Sequence, residues 1–456
     1  MKTQPVAPQS AATLAAAAER LSRLHASRDW PTPSLWRTFQ STVGAHVLVL
    51  EGSQIFDIEP DLIPAFEQGD PTATVLLATA LAQGRRTQVH QTPDVPPQSL
   101  SLNVSASCNL SCSYCYAGQG QFGGAQAAPM TWEVARGAID RLLAGAEPTA
   151  PVTVGFLGGE PFVNRALIHR VVKYAAHRGR ALGLDVRYAV TTNGTLLTPA
   201  ELDLLRRYPF AVTVSLDGDR QIQETQRPGF PFARLVQQLQ PLLADPGLAQ
   251  VSARATVQQS FDTLVERYDA IHALGFQDIG FSPVRVGQGC LGAPDWPRFL
   301  EACVALGRRE LDRLLAGQAT AFSNLAIALR QIHRGHCAPY PCGAGGGYFS
   351  VAVDGAWYAC HRAIGNLDYA LGNNAGLDQS RRRAFLQARH VDAQTDCQTC
   401  WARYLCSGSC HQEAAARTPA SCSFIRNWLD FCLDAYCTLS HHQPQWFSGD
   451  THGRQS

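Results

Sequence analysis

Leu100, Leu102 and Val104 alternate with polar residues, the period of two that a strand with one buried face imposes. That run leads straight into a loop, SCNLSCSYCY from Ser107 to Tyr116. The period then changes. Val134, Ala138, Ile139 and Leu142 form the stripe of a helix that Thr131 can cap and Gly145 can end. VTVGFL at 152–157 is almost continuously apolar, as expected of a parallel strand buried on both faces. Further strands are expected at 186–192, 211–216, 251–257 and 278–284, with helices over 166–179, 198–207 and 260–275 between them. Thr198, Pro199 and Glu201 make a capping box with proline at the first helical position. Strand–helix units repeated this way predict an α/β chain, a partial parallel (β/α)6 barrel.

The barrel is expected over residues 98–330, the last part of it a helical bridge. Residues 1–97 read as an N-terminal accessory unit: an Ala-rich start, a strand pair within 46–58, helical stretches at 62–69 and 72–84, and a proline-rich linker. Such a unit can hold the leader segment of a peptide substrate or cap the barrel end, and the pattern leaves both open. Residues 331–456 form a C-terminal cysteine-rich domain. Its GAGGG run leads into a strand, YFSVAV, and so lacks the helix start that a phosphate loop needs.

Composition narrows the class. The chain of 456 residues balances 38 basic against 37 acidic side chains, which offers no basic surface to nucleic acid or an anionic membrane. No apolar run is long enough to span a bilayer, and the first residues lack the plan of a secretion signal, so the expected location is the cytoplasm. There, fifteen cysteines point to metal or redox use before disulfides.

Their spacing points to the chemistry. Cys108, Cys112 and Cys115 stand as C-x3-C-x2-C, and three thiolates on one loop leave a cubane iron–sulfur cluster one protein ligand short. Structural zinc closes with four ligands and fits this spacing poorly, while three buried apolar cysteines are the plainest alternative. Chemistry in parallel barrels sits at the carboxyl ends of strands. Gly158-Gly159-Glu160-Pro161, Thr192-Asn193-Gly194 and Ser215-Leu216-Asp217-Gly218 all lie there. The glycines either turn the chain or admit a ligand close to the backbone, and Asn193 and Asp217 can each simply shape a turn. Eight more cysteines follow: Cys337, Cys342, Cys360, then Cys397, Cys400, Cys406 and Cys410 in C-x2-C-x5-C-x3-C spacing, and Cys422. Eight thiolates suffice for two saturated clusters or two zinc sites. Of the remaining four, Cys290, Cys303, Cys432 and Cys437, the last two fall in an apolar helix and read as core.

The cysteine loop with its aromatic Tyr114, followed by the Gly158–Pro161 run, resembles the radical S-adenosylmethionine (SAM) superfamily. The resemblance implies a [4Fe-4S] cluster on Cys108, Cys112 and Cys115 whose open iron is chelated by SAM, and reductive cleavage of SAM to a hydrogen-abstracting 5′-deoxyadenosyl radical. It also implies cofactor contacts at Tyr114, Gly158, Gly159, Glu160, Pro161, Asn193, Ser215 and Arg227. The C-terminal cysteines resemble the SPASM extension of peptide-modifying members. That implies one auxiliary cluster on Cys337, Cys342, Cys360 and Cys410, a second on Cys397, Cys400, Cys406 and Cys422, and three [4Fe-4S] clusters in all. His361 stands where sulfatase-maturating relatives carry a proton-accepting Asp and is a candidate base. The run Cys360-His361-Arg362 instead resembles enzymes that form thioether crosslinks.

The expected activity is therefore a maturase that crosslinks a ribosomal precursor peptide or small protein through a thioether or a carbon–carbon bond. It would draw electrons from an external flavodoxin- or ferredoxin-type reductant, without nucleic acid or membrane partners. An oxidative maturase of the sulfatase type is the first alternative. A non-catalytic metal-stapled peptide binder is the second, and in it Ser215, Arg227 and the Gly158–Pro161 run would be idle.

Overall fold

The period-two runs assemble into one ten-stranded sheet in a computed structural model that describes residues 35–451, apart from 71–72, 74, 76, 78–94, 123–127, 246, 248–249, 259–260 and 286. Six strands lie side by side in chain order: β4 (Ser99–Ser105), β5 (Val152–Gly158), β6 (Val186–Thr192), β7 (Phe210–Ser215), β8 (Val251–Val257) and β9 (Ile279–Pro283). Every neighbouring pair among them is parallel. Helices including Trp132–Gly145, Arg165–Ala181, Pro199–Arg207 and Leu264–Ala273 make the crossovers. This is the expected partial barrel.

The pleat sorts side chains to two faces. Leu100, Leu102, Val154, Phe156, Val212 and Val214 are buried in the apolar core. Their neighbours in sequence, Ser99, Ser101, Thr153 and Gly155 among them, line a cavity. The small polar residues keep the barrel's interior open, and the apolar ones weld the helices to its outside.

Local signals hold where expected. The Thr131 hydroxyl accepts from the Val134 N–H at 3.3 Å and so caps its helix. The Glu201 carboxylate accepts from the Thr198 N–H at 3.1 Å, closing the capping box.

Three features depart from the sequence reading. The segment between β7 and β8 carries two helices, Arg220–Gln226 and Phe232–Leu243. Pro241 lies within the second, whose Leu235, Leu239 and Leu242 are buried, so apolar burial outweighs the proline as a breaking signal. The YFSVAV strand, β10 (Tyr348–Val351), does not stand apart but pairs parallel with β4. It carries β11 (Ala356–Tyr358), β12 (Ala370–Asn373) and β13 (Gly376–Leu377) onto the barrel's edge. The cysteine-rich region is thereby hydrogen-bonded to the first barrel strand.

The accessory unit has three antiparallel strands rather than two: β1 (Trp36–Ser41), β2 (Gly44–Val49) and β3 (Gln54–Ile58), followed by a helix at Ile63–Gln68. Its second helical stretch, 72–84, lies mostly outside the described residues. The unit packs on the helix Pro419–His442: Arg37 bonds Asp430 and sits 4.0 Å over the Trp401 ring, and the Thr42 N–H donates to Asp434 at 2.9 Å. Among the described residues no helix is long and apolar enough to cross a membrane.

Candidate active site at the cysteine loop

The chain turns from β4 directly into Cys108, Cys112 and Cys115, which share the wall of a cavity of about 950 Å³. The end of β5 runs against this loop. The Gly159 N–H donates to Ser105 O at 2.9 Å and the Glu160 N–H to Ser107 O at 3.0 Å. A Cβ on Gly159 would stand 2.3 Å from Ser107 O and 2.9 Å from the Cys108 Cβ. At Gly158, with φ at +156°, it would stand 2.6 Å from Ser105 O. The glycines are needed first for contact between two backbones. Gly159→Ala should therefore push the cysteine loop out of place, with SAM cleavage falling by more than about tenfold while the circular dichroism of the fold is kept. Unchanged cleavage would mean the loop tolerates the shift.

Glu160 is fully buried and accepts from the Phe162 N–H at 3.1 Å, the Thr192 hydroxyl at 2.8 Å and the Asn193 N–H at 2.7 Å. Its side chain thus ties the end of β5 to the end of β6, a task beyond the ligand contact expected of it. Asn193 in turn orients its amide toward Asn109 Oδ1 at 3.0 Å and the Cys108 sulfur at 3.9 Å. Burial pushes the Glu160 carboxyl up from 4.5 to about 7, against the three hydrogen bonds that favour its charged form. A carboxyl harder to ionise in the folded chain costs nothing below pH 4.5 and about 3 kcal/mol above pH 7. The metal-free protein should lose this increment as pH rises through that window, and Glu160→Gln should remove it. Parallel urea titrations of the two proteins that keep a constant difference from pH 4.5 to 7 would contradict the assignment.

The fourth strand contributes a hub that its sequence read only as a turn. Asp217 is fully buried, and its carboxylate accepts from Arg227 Nε at 2.9 Å, Arg227 Nη2 at 3.3 Å, the Thr256 N–H at 2.8 Å and the Tyr114 hydroxyl. The Arg227 guanidinium lies 5.2 Å from the Tyr114 ring centre. With two nitrogens given to Asp217, it directs Nη1 at the Cys112 sulfur, 3.8 Å away. Tyr114, Arg227 and Ser215 all reach the cavity. Pro161 opens the short turn after β5.

The cysteine sulfurs collect donors. Cys108 takes the Leu110 N–H at 3.4 Å and Cys115 the Gln119 N–H at 3.3 Å. Burial pushes the Cys108 thiol up to about 11, and it pushes Cys112 up against the pull of Arg227. Such thiols are costly to ionise alone, and a bound metal reverses that preference. Among the described residues no three His, Cys, Asp or Glu side chains are gathered tightly enough for a single ion. The three thiols line one cavity and feel one another's charge, and a cubane, which takes its cysteines on different irons, suits such a donor set.

The C-terminal cysteines gather unequally. The Cys360 thiol is raised chiefly by burial and further by the charges of Cys410 and Cys342 nearby. Cys397 likewise feels Cys406, Cys400 and Cys422 after burial and Arg417. Burial raises the Cys337 thiol most, with the Gly52 amide at its sulfur and the charges of Glu51, Asp392 and Arg403 nearby. His361 reaches the same cavity as the cysteine loop, as does Cys410. Its Nδ1 lies 2.8 Å from the Tyr348 hydroxyl, which is also 2.7 Å from Ser101 Oγ. Burial and then Arg362 push its imidazole down to about 4, so it is neutral at pH 7 and a weaker base than its sequence position suggests. Asp217 and Tyr348 are the site residues that the sequence reading undervalued. A carboxylate at a strand end preceding an arginine was the available signal for the first, and none marked the second.

Comparison with known proteins agrees with this geometry. Residues 102–237 match the model of the radical SAM superfamily. The chain is 25% identical over 365 residues to the serine-type anaerobic sulfatase-maturating enzyme of Klebsiella aerogenes, spanning 74% of this chain and 85% of that protein. It is 28% identical over 137 residues to the radical SAM cyclopropyl synthase TigE of Paramaledivibacter caminithermalis, covering 26% and 27% of the two chains. Among solved structures, native anSMEcpe with bound AdoMet superimposes with a TM-score of 0.64 at 18% identity, over 76% of this chain and all of that one. That last likeness is one of fold.

Proposed function

From the premise that the chain is an enzyme built on a radical SAM domain, residues 102–237, we propose that it abstracts hydrogen from a residue of a ribosomal peptide or small protein and closes a crosslink there. One observation carries this reading. The cavity of about 950 Å³ is lined by Cys108, Cys112 and Cys115 and also by Cys410 and His361, so one space large enough for a substrate segment adjoins the cysteine loop and the C-terminal cysteines. Cys108, Cys112 and Cys115 hold the cluster that opens SAM, and Tyr114, Asn193, Ser215 and Arg227 surround the cofactor's place. SAM and the clusters supply the radical chemistry. The protein holds, orients and excludes water. The first auxiliary cluster draws on Cys342, Cys360 and Cys410, with Cys337 as the fourth ligand by resemblance to the SPASM extension. Cys397, Cys400, Cys406 and Cys422 hold the second, in a SPASM-type arrangement.

A crosslink removes one hydrogen atom from carbon and one proton and one electron from the joined pair, and an auxiliary cluster, when bound, would supply an acceptor for that electron. Anaerobic turnover with SAM, dithionite and a candidate precursor peptide should yield a product lighter by two hydrogens per bond, in step with 5′-deoxyadenosine. A peptide of unchanged mass despite deoxyadenosine formation would sink the crosslinking role.

The likeness to the Klebsiella aerogenes sulfatase-maturating enzyme supports a second reading, oxidation of a side chain to an aldehyde. His361, where those enzymes carry an acidic residue, weighs against it. The aldehyde product also lacks two hydrogens, but it reacts with hydrazides and a crosslink does not.

A further inference from the structure

Arginine sits differently at the two auxiliary cysteine sets. At the first, the Arg362 backbone N–H approaches Cys360 Sγ at 3.4 Å, while its guanidinium turns to Glu413 at 2.7 Å, a carboxylate that Arg285 also pairs with at 3.3 Å. At the second, Arg417 Nη1 donates straight to Cys397 Sγ at 2.8 Å. Among the described residues Arg417 forms no ion pair, and its Nε is buried without a partner. The charge of Arg417 also favours the thiolate of Cys422 in the same set.

The arginine is held in place by neutral groups. Nη1 also donates to Gly408 O at 3.2 Å, and Nη2 donates to Gln394 Oε1 at 2.7 Å. Gln394 is fixed in turn through Nε2 to Arg389 O at 3.0 Å. The loop between Cys406 and Cys410 makes room for this clamp. Ser407, Gly408 and Ser409 are consecutive left-handed residues with φ of 55°, 81° and 66°. A Cβ on Gly408 would come within 2.5 Å of Gln394 Nε2. The same turn aims the Ser409 and Gly408 amides at the Cys406 sulfur. A strained run that only glycine and small residues tolerate is thus spent on presenting donors to sulfur.

Reducing a cluster adds negative charge, and reduction potentials rise with hydrogen bonds to the cysteine sulfurs and with positive charge nearby. A guanidinium that donates directly to a cysteine sulfur, as Arg417 does at the second set, combines both influences. We infer that Arg417 is a positioning residue that raises the potential of the cluster on Cys397, Cys400, Cys406 and Cys422 above that of its neighbour, so that an electron entering the auxiliary pair settles there. This rests on the reading above, in which those four cysteines hold a cluster.

The test compares the full wild-type chain with Arg417→Gln and Arg417→Lys after anaerobic reconstitution, by iron content and by redox titration followed by electron paramagnetic resonance without SAM. In Arg417→Gln, one of three midpoints should fall while the others hold. The reduced-to-oxidised ratio at fixed potential should drop about tenfold, or about 59 mV for a one-electron couple. Arg417→Lys, which keeps the charge but not the fork, should shift it less. Unchanged midpoints at full iron content overturn the inference, and so does loss of about four irons from either variant, which would make Arg417 structural. A wild-type protein with only about four irons would instead sink the underlying three-cluster reading.

Discussion

Replacing Cys112 and Cys115 together with alanine should abolish 5′-deoxyadenosine formation while leaving roughly eight of about twelve irons bound. Cys108 alone cannot retain a cluster, so the open iron site disappears. The loop itself should survive. Its backbone is tied by the Ser113 N–H to Gln226 O at 3.2 Å and by Tyr114 to Asp217, and neither bond involves a sulfur. The C-terminal cysteines share no ligand with this loop. The pattern to look for is selective: activity gone, about two thirds of the iron kept, and secondary structure unchanged. Loss of all iron, or SAM cleavage at the wild-type rate, would show that the ligand sets are drawn wrongly.

Asp217→Asn should be the most destabilising single change at the site, by about 3–5 kcal/mol. Asp217 is 0% exposed and Arg227 8%, so removing the one charge leaves the other buried and uncompensated. The asparagine also loses half of an acceptor set that now takes two guanidinium nitrogens, a backbone amide and a phenol. For a chain whose whole stability is on the order of 5–15 kcal/mol this is a large fraction. Urea denaturation of the metal-free protein measures it. A loss under about 1 kcal/mol would mean that water or a neighbouring group compensates Arg227 and that the hub is not an ion-pair core.

Much of this site could be read in one dimension because its chemistry is local in the chain. C-x3-C-x2-C spans eight consecutive residues, the pleat of β4 appears in the alternation of Leu100, Leu102 and Val104 with polar neighbours, and β5 shows as an almost continuously apolar run. What stayed hidden is held by distant partners. The carboxylate of Asp217 meets Arg227 at 10 residues' separation, Thr256 at 39 and Tyr114 at 103, and no periodic pattern records such meetings. Tyr348 reaches Ser101 across 247 residues because β10 adds to β4, an edge pairing that sequence spacing does not encode. β1 was missed for a related reason: WRTFQS has no clean alternation, since Arg37 is committed to Asp430 and Trp401 on another element.

Metal content and SAM cleavage measured on one preparation separate a radical enzyme from a metal-stapled scaffold. Iron and acid-labile sulfide per chain should be determined after anaerobic reconstitution, with 5′-deoxyadenosine formed from SAM under dithionite. About twelve irons with matching sulfide and deoxyadenosine release is the predicted result. Zinc in place of iron, with no deoxyadenosine, would contradict it and leave a metal-stapled binding protein.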